Sequence, residues 1–115
     1  MYRNQWEPYT NIMKALSDPT RMKIIWLLCN IDSKICSSEI AEVLEESPYN
    51  ISKHIKILKN TDMIYERKEG TRIFYYYNSK ATAFDSAIKK MIMHLPAEMM
   101  SEEIKRCKYC LNQRT

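Results

Sequence analysis

Gly70 is the only glycine in a chain of 115 residues. Glycine enters left-handed backbone conformations without steric cost, so a chain with a single one has few places for tight turns. The fold class that tolerates this is mostly α, with helices stopped by proline and polar caps and with Gly70 marking one small β-hairpin. At this length the chain is expected to hold one domain, 1–115, with a modest core.

The helix signals come in order along the chain. A first helix is predicted over Tyr9 to Leu16 and stops at SDPT, where Asp18 can cap the next helix and Pro19 suits its first position. The second helix carries RMKIIWLLCN, whose Met22, Ile25, Trp26 and Leu28 form a broad apolar side. After the polar break DSK, Ser37 is expected to cap a short helix, SEIAEVLEE, with Ile40, Val43 and Leu44 on one face. Ser47 and Pro48 start another, running to about Asn60. Its Ile51, Ile55 and Leu58 fall on one side, and Tyr49, Ser52, Lys53 and Lys56 on the other.

The period then changes. In MIYERKEGTRIFYYYN, β-branched and aromatic residues alternate with charged ones, which predicts strands over Ile64 to Lys68 and Thr71 to Tyr77. The hairpin tip carries Arg67, Lys68 and Arg72. Beyond Asn78, helical spacing returns in Phe84, Ile88, Met91, Ile92 and Leu95, before Pro96. In a last helical stretch Met100, Ile104, Cys107 and Leu111 share a side, with Cys110 one turn from Cys107.

Two short helices with a tight connection, followed by a hairpin, make a winged helix-turn-helix. The helix-turn-helix is assigned to 37–62, the wing to 63–78, dimerising helices to 1–16 and 79–95, and a tail containing CKYC to 96–115. The run ISKHIKILKN sets Lys53, Lys56 and Lys59 among apolar residues with no acidic side chain until Asp62. Such a face suits a phosphate backbone, while Asn50 and Ser52 are short enough to reach base edges. The net charge of +4 agrees with a nucleic-acid partner without selecting one. One recognition helix reads few base pairs, so a two-fold partner is expected, held by the Phe84 to Leu95 stripe and by Trp6, Tyr9, Ile12 and Met13.

The runs MKALSDPTRMKIIWLL, EIAEVLEESPYNISKHIKILKNTDMI and ERKEGTRIFYYYN together resemble the ArsR/SmtB family of metal- and thiol-responsive repressors, over residues 13 to 78. The resemblance implies a homodimeric winged-helix repressor that binds an operator in double-stranded DNA and leaves it when an inducer binds. It implies that Tyr49, Asn50, Ser52, Lys53 and Lys56 face DNA; from their place at the hairpin tip, Arg67, Lys68 and Arg72 are expected to add phosphate or minor-groove contacts. His54 matches the family's histidine in the recognition helix, where packing, hydrogen bonding and a DNA contact are all open.

The inducer is less legible. Where the family often has C-x-C, this chain reads ICSSEIA: Cys36 matches the first cysteine and Ser38 replaces the second, so that soft-ion site is incomplete. In the family's zinc site on the dimerising helix, Asp85 matches the first ligand, but Ala87 stands where a histidine is expected. Cys107 and Cys110 remain. Their flanking Lys105, Arg106 and Lys108 are expected to favour thiolates. If the tail of one subunit folds over the motif of the other, Cys36 supplies a third sulfur, which suits a thiophilic ion such as arsenite, cadmium, lead or zinc. The same thiols can form a redox switch instead, with no bound ion. Cys29 reads as core.

No apolar run has the length of a signal peptide or a bilayer span, so a cytoplasmic protein without membrane contact is expected. No nucleophile with a base, phosphate-binding glycine loop or carboxylate pair is present, and CKYC lacks the strand-then-helix setting of thiol-disulfide enzymes. An enzyme is not expected. The expected function is a DNA-binding transcriptional repressor relieved by a thiophilic ion or by thiol oxidation. The alternative is a winged helix that binds protein instead of DNA.

Overall fold

The computed structural model describes residues 4–31, 33–79 and 82–113. The extreme ends of the first and last segments assigned above, and two residues at the start of 79–95, lie outside the described residues. The elements are α1 (Glu7–Leu16), α2 (Pro19–Asn30), β1 (Ile35–Cys36), α3 (Ser37–Leu44), α4 (Pro48–Asn60), β2 (Ile64–Glu69), β3 (Arg72–Tyr77), α5 (Ala83–Met93), a 3-10 turn (Ala97–Met100) and α6 (Ser101–Asn112).

Helix α2 is the hub of the molecule. Ile24, Ile25, Trp26, Leu27, Leu28 and Cys29 are all buried, so α2 has no exposed face over this stretch and other helices surround it. Helices α1, α4 and α5 pack on it, while α3 packs between α4 and α6. Asp18 caps α2 as its sequence position requires, its Oδ2 accepting the Arg21 backbone N–H at 3.0 Å. Ser47 caps α4 in the same way through the Asn50 N–H at 3.1 Å.

The cap of α3 departs from expectation. Cys36, not Ser37, holds the cap position, and the Glu39 carboxylate accepts the Cys36 N–H at 3.0 Å. The reason is β1, a two-residue strand that sequence periodicity is too short to reveal. It pairs antiparallel with β3, Ile35 opposite Tyr75 and Cys36 opposite Phe74, giving a three-stranded sheet in the order β1, β3, β2. Being extended, Cys36 makes the turn into the helix one residue early.

The hairpin pairs Glu69 with Arg72, leaving Gly70 and Thr71 as a two-residue loop, and Gly70 has φ +63°. Glycine scarcity does not remove left-handed turns elsewhere. Glu45, ending α3, and Asp62, following α4, adopt φ of 56° and 62°, at a cost that tertiary packing must offset.

The α5 stripe divides. Ile88 and Ile92 are buried against the subunit's own core, while Met91 is half exposed. Helix α1 meets α5 through Tyr9 and Phe84, whose rings contact edge to face at 4.9 Å. Trp6, Tyr9, Met13 and Met91 remain exposed along these two helices.

Candidate functional site

Helix α4 presents two opposed faces. Ile51, Ile55 and Leu58 are buried, which fixes the roll of the helix and turns the intervening residues outward. Tyr49 is 80% exposed. Ser52, Lys53 and Lys56 are also exposed, and neither lysine meets a carboxylate among the described residues. Asn50 is half-buried, and its amide donates to the Glu46 carboxylate, so reaching a base edge requires it to leave that partner.

Lys59 does not join this face. Its ammonium pairs with Glu66 on β2, and that hydrogen bond raises its pKa. The expected triad of lysines is therefore a pair, because hairpin closure brings an acid from the wing to the end of the recognition helix. On the wing, Arg67, Lys68 and Arg72 are exposed. The Arg67 guanidinium lies 5.9 Å and 6.0 Å from the ring centres of Tyr65 and Tyr76, which stack on each other at 5.2 Å.

His54 lies on the buried side, 9% exposed. Its Nδ1 is 3.1 Å from Nη1 of Arg21 and its Nε2 is 4.0 Å from Oδ2 of Asp18. The backbone N–H of Arg21, with the charge of the Arg21 guanidinium, holds the Asp18 carboxyl below its usual pKa despite some desolvation. In this geometry His54 faces protein groups.

The cysteines sit in three settings. Cys29 is core, and burial lifts its thiol to about 11. Cys36 is buried with Sγ 3.2 Å from the Ser38 hydroxyl, so the serine that replaces the family's second cysteine bonds the first. On α6 the two thiols diverge. Cys107 lines a cleft with Trp26, Leu27 and Ile104, whereas Cys110 lines a separate cavity of about 710 Å³ with Ser38, Glu42, Phe74 and Tyr109.

Cys110 does not become the activated thiolate that its flanking cations led one to expect. Burial first, and then the hydrogen bond it donates to Glu42 Oε2 at 2.9 Å, push its thiol up to about 12. Two of the three cations are engaged elsewhere. Arg106 donates through Nε to the Val43 carbonyl at 2.8 Å and reaches Glu45 at 3.5 Å, and Lys105 pairs with Glu102 at 3.7 Å. The tail folds over the helix-turn-helix of its own subunit, α6 lying on α3. Among the described residues no group of three or more His, Cys, Asp or Glu is placed to hold a metal ion. Cys36, Cys107 and Cys110 thus do not converge on one ion within a subunit.

A helix pair with an exposed cationic second helix, backed by a β-hairpin wing, defines a winged helix-turn-helix DNA-binding protein. The family model for bacterial regulatory proteins of the arsR family matches residues 18–66. The transcriptional repressor SdpR of Bacillus subtilis is 38% identical over 82 residues, 71% of this chain and 87% of that protein. A homolog of the cadmium resistance regulatory protein CadC from Staphylococcus aureus is 38% identical over 64 residues, 56% of this chain, which spans about half of that relative (52%). In fold, the homodimeric winged helix-turn-helix DNA-binding domain Mb0332 of Mycobacterium bovis superposes with a TM-score of 0.64 at 22% identity, over 76% of each chain. The chain belongs to the arsR family of bacterial regulatory proteins. It is a transcriptional regulator and not an enzyme. No helix among the described residues is long and apolar enough to cross a membrane.

Proposed function

We propose that the chain works in the cytoplasm as a homodimeric, sequence-specific repressor, and that its hold on operator DNA is relieved by a thiophilic ion or by thiol oxidation. The observation that carries the DNA reading is the pair Lys53 and Lys56, exposed and unpaired among the described residues, on a helix whose opposite face is locked in the core. In this reading Lys53, Lys56, Arg67, Lys68 and Arg72 meet phosphates, and Tyr49, Asn50 and Ser52 face the bases of the major groove. The dimer uses the exposed apolar groups Trp6, Tyr9, Met13 and Met91 of α1 and α5, a patch that a monomer has no reason to keep in water.

Relief acts through α6. Its Arg106 and Cys110 hold α3 and the turn after it, so an agent that replaces the Cys110 thiol proton removes the contact with Glu42 and loosens that hold. Arsenite, cadmium, lead and zinc are the ions of suitable softness, and oxidation of the same thiols is the other route. Support for the repressor reading comes from SdpR, and support for thiophilic ions from the CadC homolog.

The test is binding of the reduced protein to duplex DNA against salt concentration, followed by titration of the complex with each ion and with peroxide. A steep fall in affinity with salt is expected. A flat response points to a protein partner. A complex that no ion or oxidant dissociates removes the sensing half of the proposal.

A further inference from the structure

The last carbonyls of an α-helix have no partner within it. At the end of α1, the Ala15 carbonyl accepts the Arg21 Nε–H at 2.8 Å, and the Lys14 carbonyl lies 3.5 Å from Nη2. The remaining arm of the same guanidinium, Nη1, reaches Nδ1 of His54 on α4 at 3.1 Å. A guanidinium carries donors only, so Nδ1 must accept. The imidazole is then neutral, with its proton on Nε2, directed toward the ionised Asp18 that caps α2.

This path crosses an otherwise open place. Between α1 and α4 lies a cleft of about 270 Å³ lined by Asn11, Lys14, Ile57, Asn60 and Thr61, with Arg21 spanning it. Both helices pack on α2, and among the described residues the side chain that hydrogen-bonds to both of them is Arg21. Its planar fork can serve two directions at once, which the single ammonium of lysine does not reproduce.

We propose that Arg21 and His54 are positioning residues that set the angle between α1 and α4, and that His54 acts on DNA only through that angle. The inference rests on the dimeric DNA-binding reading above. If α1 lies in the dimer interface, the α1 to α4 angle sets the separation of the two recognition helices. Two half-sites one helical turn apart, about 34–36 Å, demand that separation. A change at Arg21 or His54 then costs affinity for the paired half-sites while leaving phosphate contacts in place. A residue that touched DNA would behave differently, since losing a phosphate contact weakens binding to every sequence and flattens the salt dependence.

The experiment begins with a duplex selected by the wild-type protein from a random pool, and compares it with a random duplex. For His54→Leu and Arg21→Met, affinity for the selected duplex is expected to fall about 10- to 100-fold, the range for one lost charge-assisted hydrogen bond. Random-duplex affinity and its salt slope stay unchanged. His54→Asn, whose side-chain oxygen can replace Nδ1 as acceptor, restores most of the selected-duplex affinity. Long-range nitrogen-15 NMR of the wild-type protein is expected to show the neutral Nε2–H tautomer with and without DNA, a readout that needs no variant to fold. The proposal is overturned if His54→Leu binds the selected duplex like wild type, if its random-duplex affinity and slope fall together, or if the ring carries its proton on Nδ1. Should the wild-type protein select no duplex at all, it is the DNA-binding reading that fails, and the tautomer still reports on the contact itself.

Discussion

Helices α4 and α6 carry the same kind of signal in the sequence, cations spaced among apolar residues, and the folded molecule uses them in opposite ways. On α4, Lys53 and Lys56 are exposed, and neither pairs with an acid among the described residues. On α6, Arg106 turns inward to the Val43 carbonyl and to Glu45, and Cys110 is buried against Glu42. Both helices have an apolar face that decides their roll. The difference lies in what flanks the apolar face: solvent beside Lys53 and Lys56 on α4, and the carboxylate-bearing helix α3 beside Arg106 and Cys110 on α6. A cation next to a thiol in sequence therefore says little about the thiol until the direction of each side chain is known.

The sharpest way to break this comparison is at α4. Replacing Lys53 and Lys56 together by glutamate is expected to abolish duplex binding at moderate salt, and by alanine to flatten the salt dependence by about 2 in the logarithmic slope, near 0.9 for each lost phosphate contact. Fluorescence anisotropy over a salt series measures both, and an unaltered slope would mean that these lysines only face solvent. The counterpart on α6 is smaller. Arg106→Met is expected to cost about 1–2 kcal/mol in urea unfolding, through the part-buried hydrogen bond to Val43, because the ion pair with the exposed Glu45 adds little.

The Cys110 thiol sharpens the contrast through pH. In the fold it keeps its proton up to about 12, against 9.0 for an unperturbed thiol. Its contribution to stability is therefore fully present below pH 9 and is lost as pH rises toward 12. Unfolding at pH 8 and pH 10.5 is expected to show a loss that Cys110→Ala makes smaller, the remainder coming from the buried Cys29 thiol, which is raised to about 11. At pH 8 the same thiol is expected to react with iodoacetamide at least about tenfold more slowly than a free cysteine, since the thiolate is the nucleophile. Labelling at the free-thiol rate would mean that α6 is not seated on α3.

The smallest effect concerns the turn that leads from α3 into α4. Glu45 sits at φ 56° at the end of α3, where a side chain is strained. Glu45→Gly is expected to raise stability by about 0.5–1 kcal/mol, relief of strain being partly offset by greater freedom of the unfolded chain. Thermal unfolding reads the shift. A decrease would show that the carboxylate contact with Arg106 outweighs the strain.

Much of this fold is legible from local chemistry alone. Asp18 with Pro19, and Ser47 with Pro48, mark helix starts because capping depends on residues within a few positions of each other. The alternation around Gly70 places the hairpin, and the inward run Ile51, Ile55 and Leu58 sets which side of α4 can meet DNA. Each of these signals lies within a single element, and the sequence states it in full.

What only the tertiary structure decided involves partners far apart in the chain. The pairing of Lys59 with Glu66, the strand at Ile35 and Cys36, and the inward turn of Ile92 depend on which element packs beside which. So do the contacts of His54 with Arg21, 33 residues away, and of Cys110 with Glu42, 68 residues away. Spacing in sequence sets the face on which a side chain sits. The protonation of Cys110 and the partner of His54 follow instead from burial and from the groups that folding brings within about 3 Å, and neither quantity exists before the chain has closed on itself.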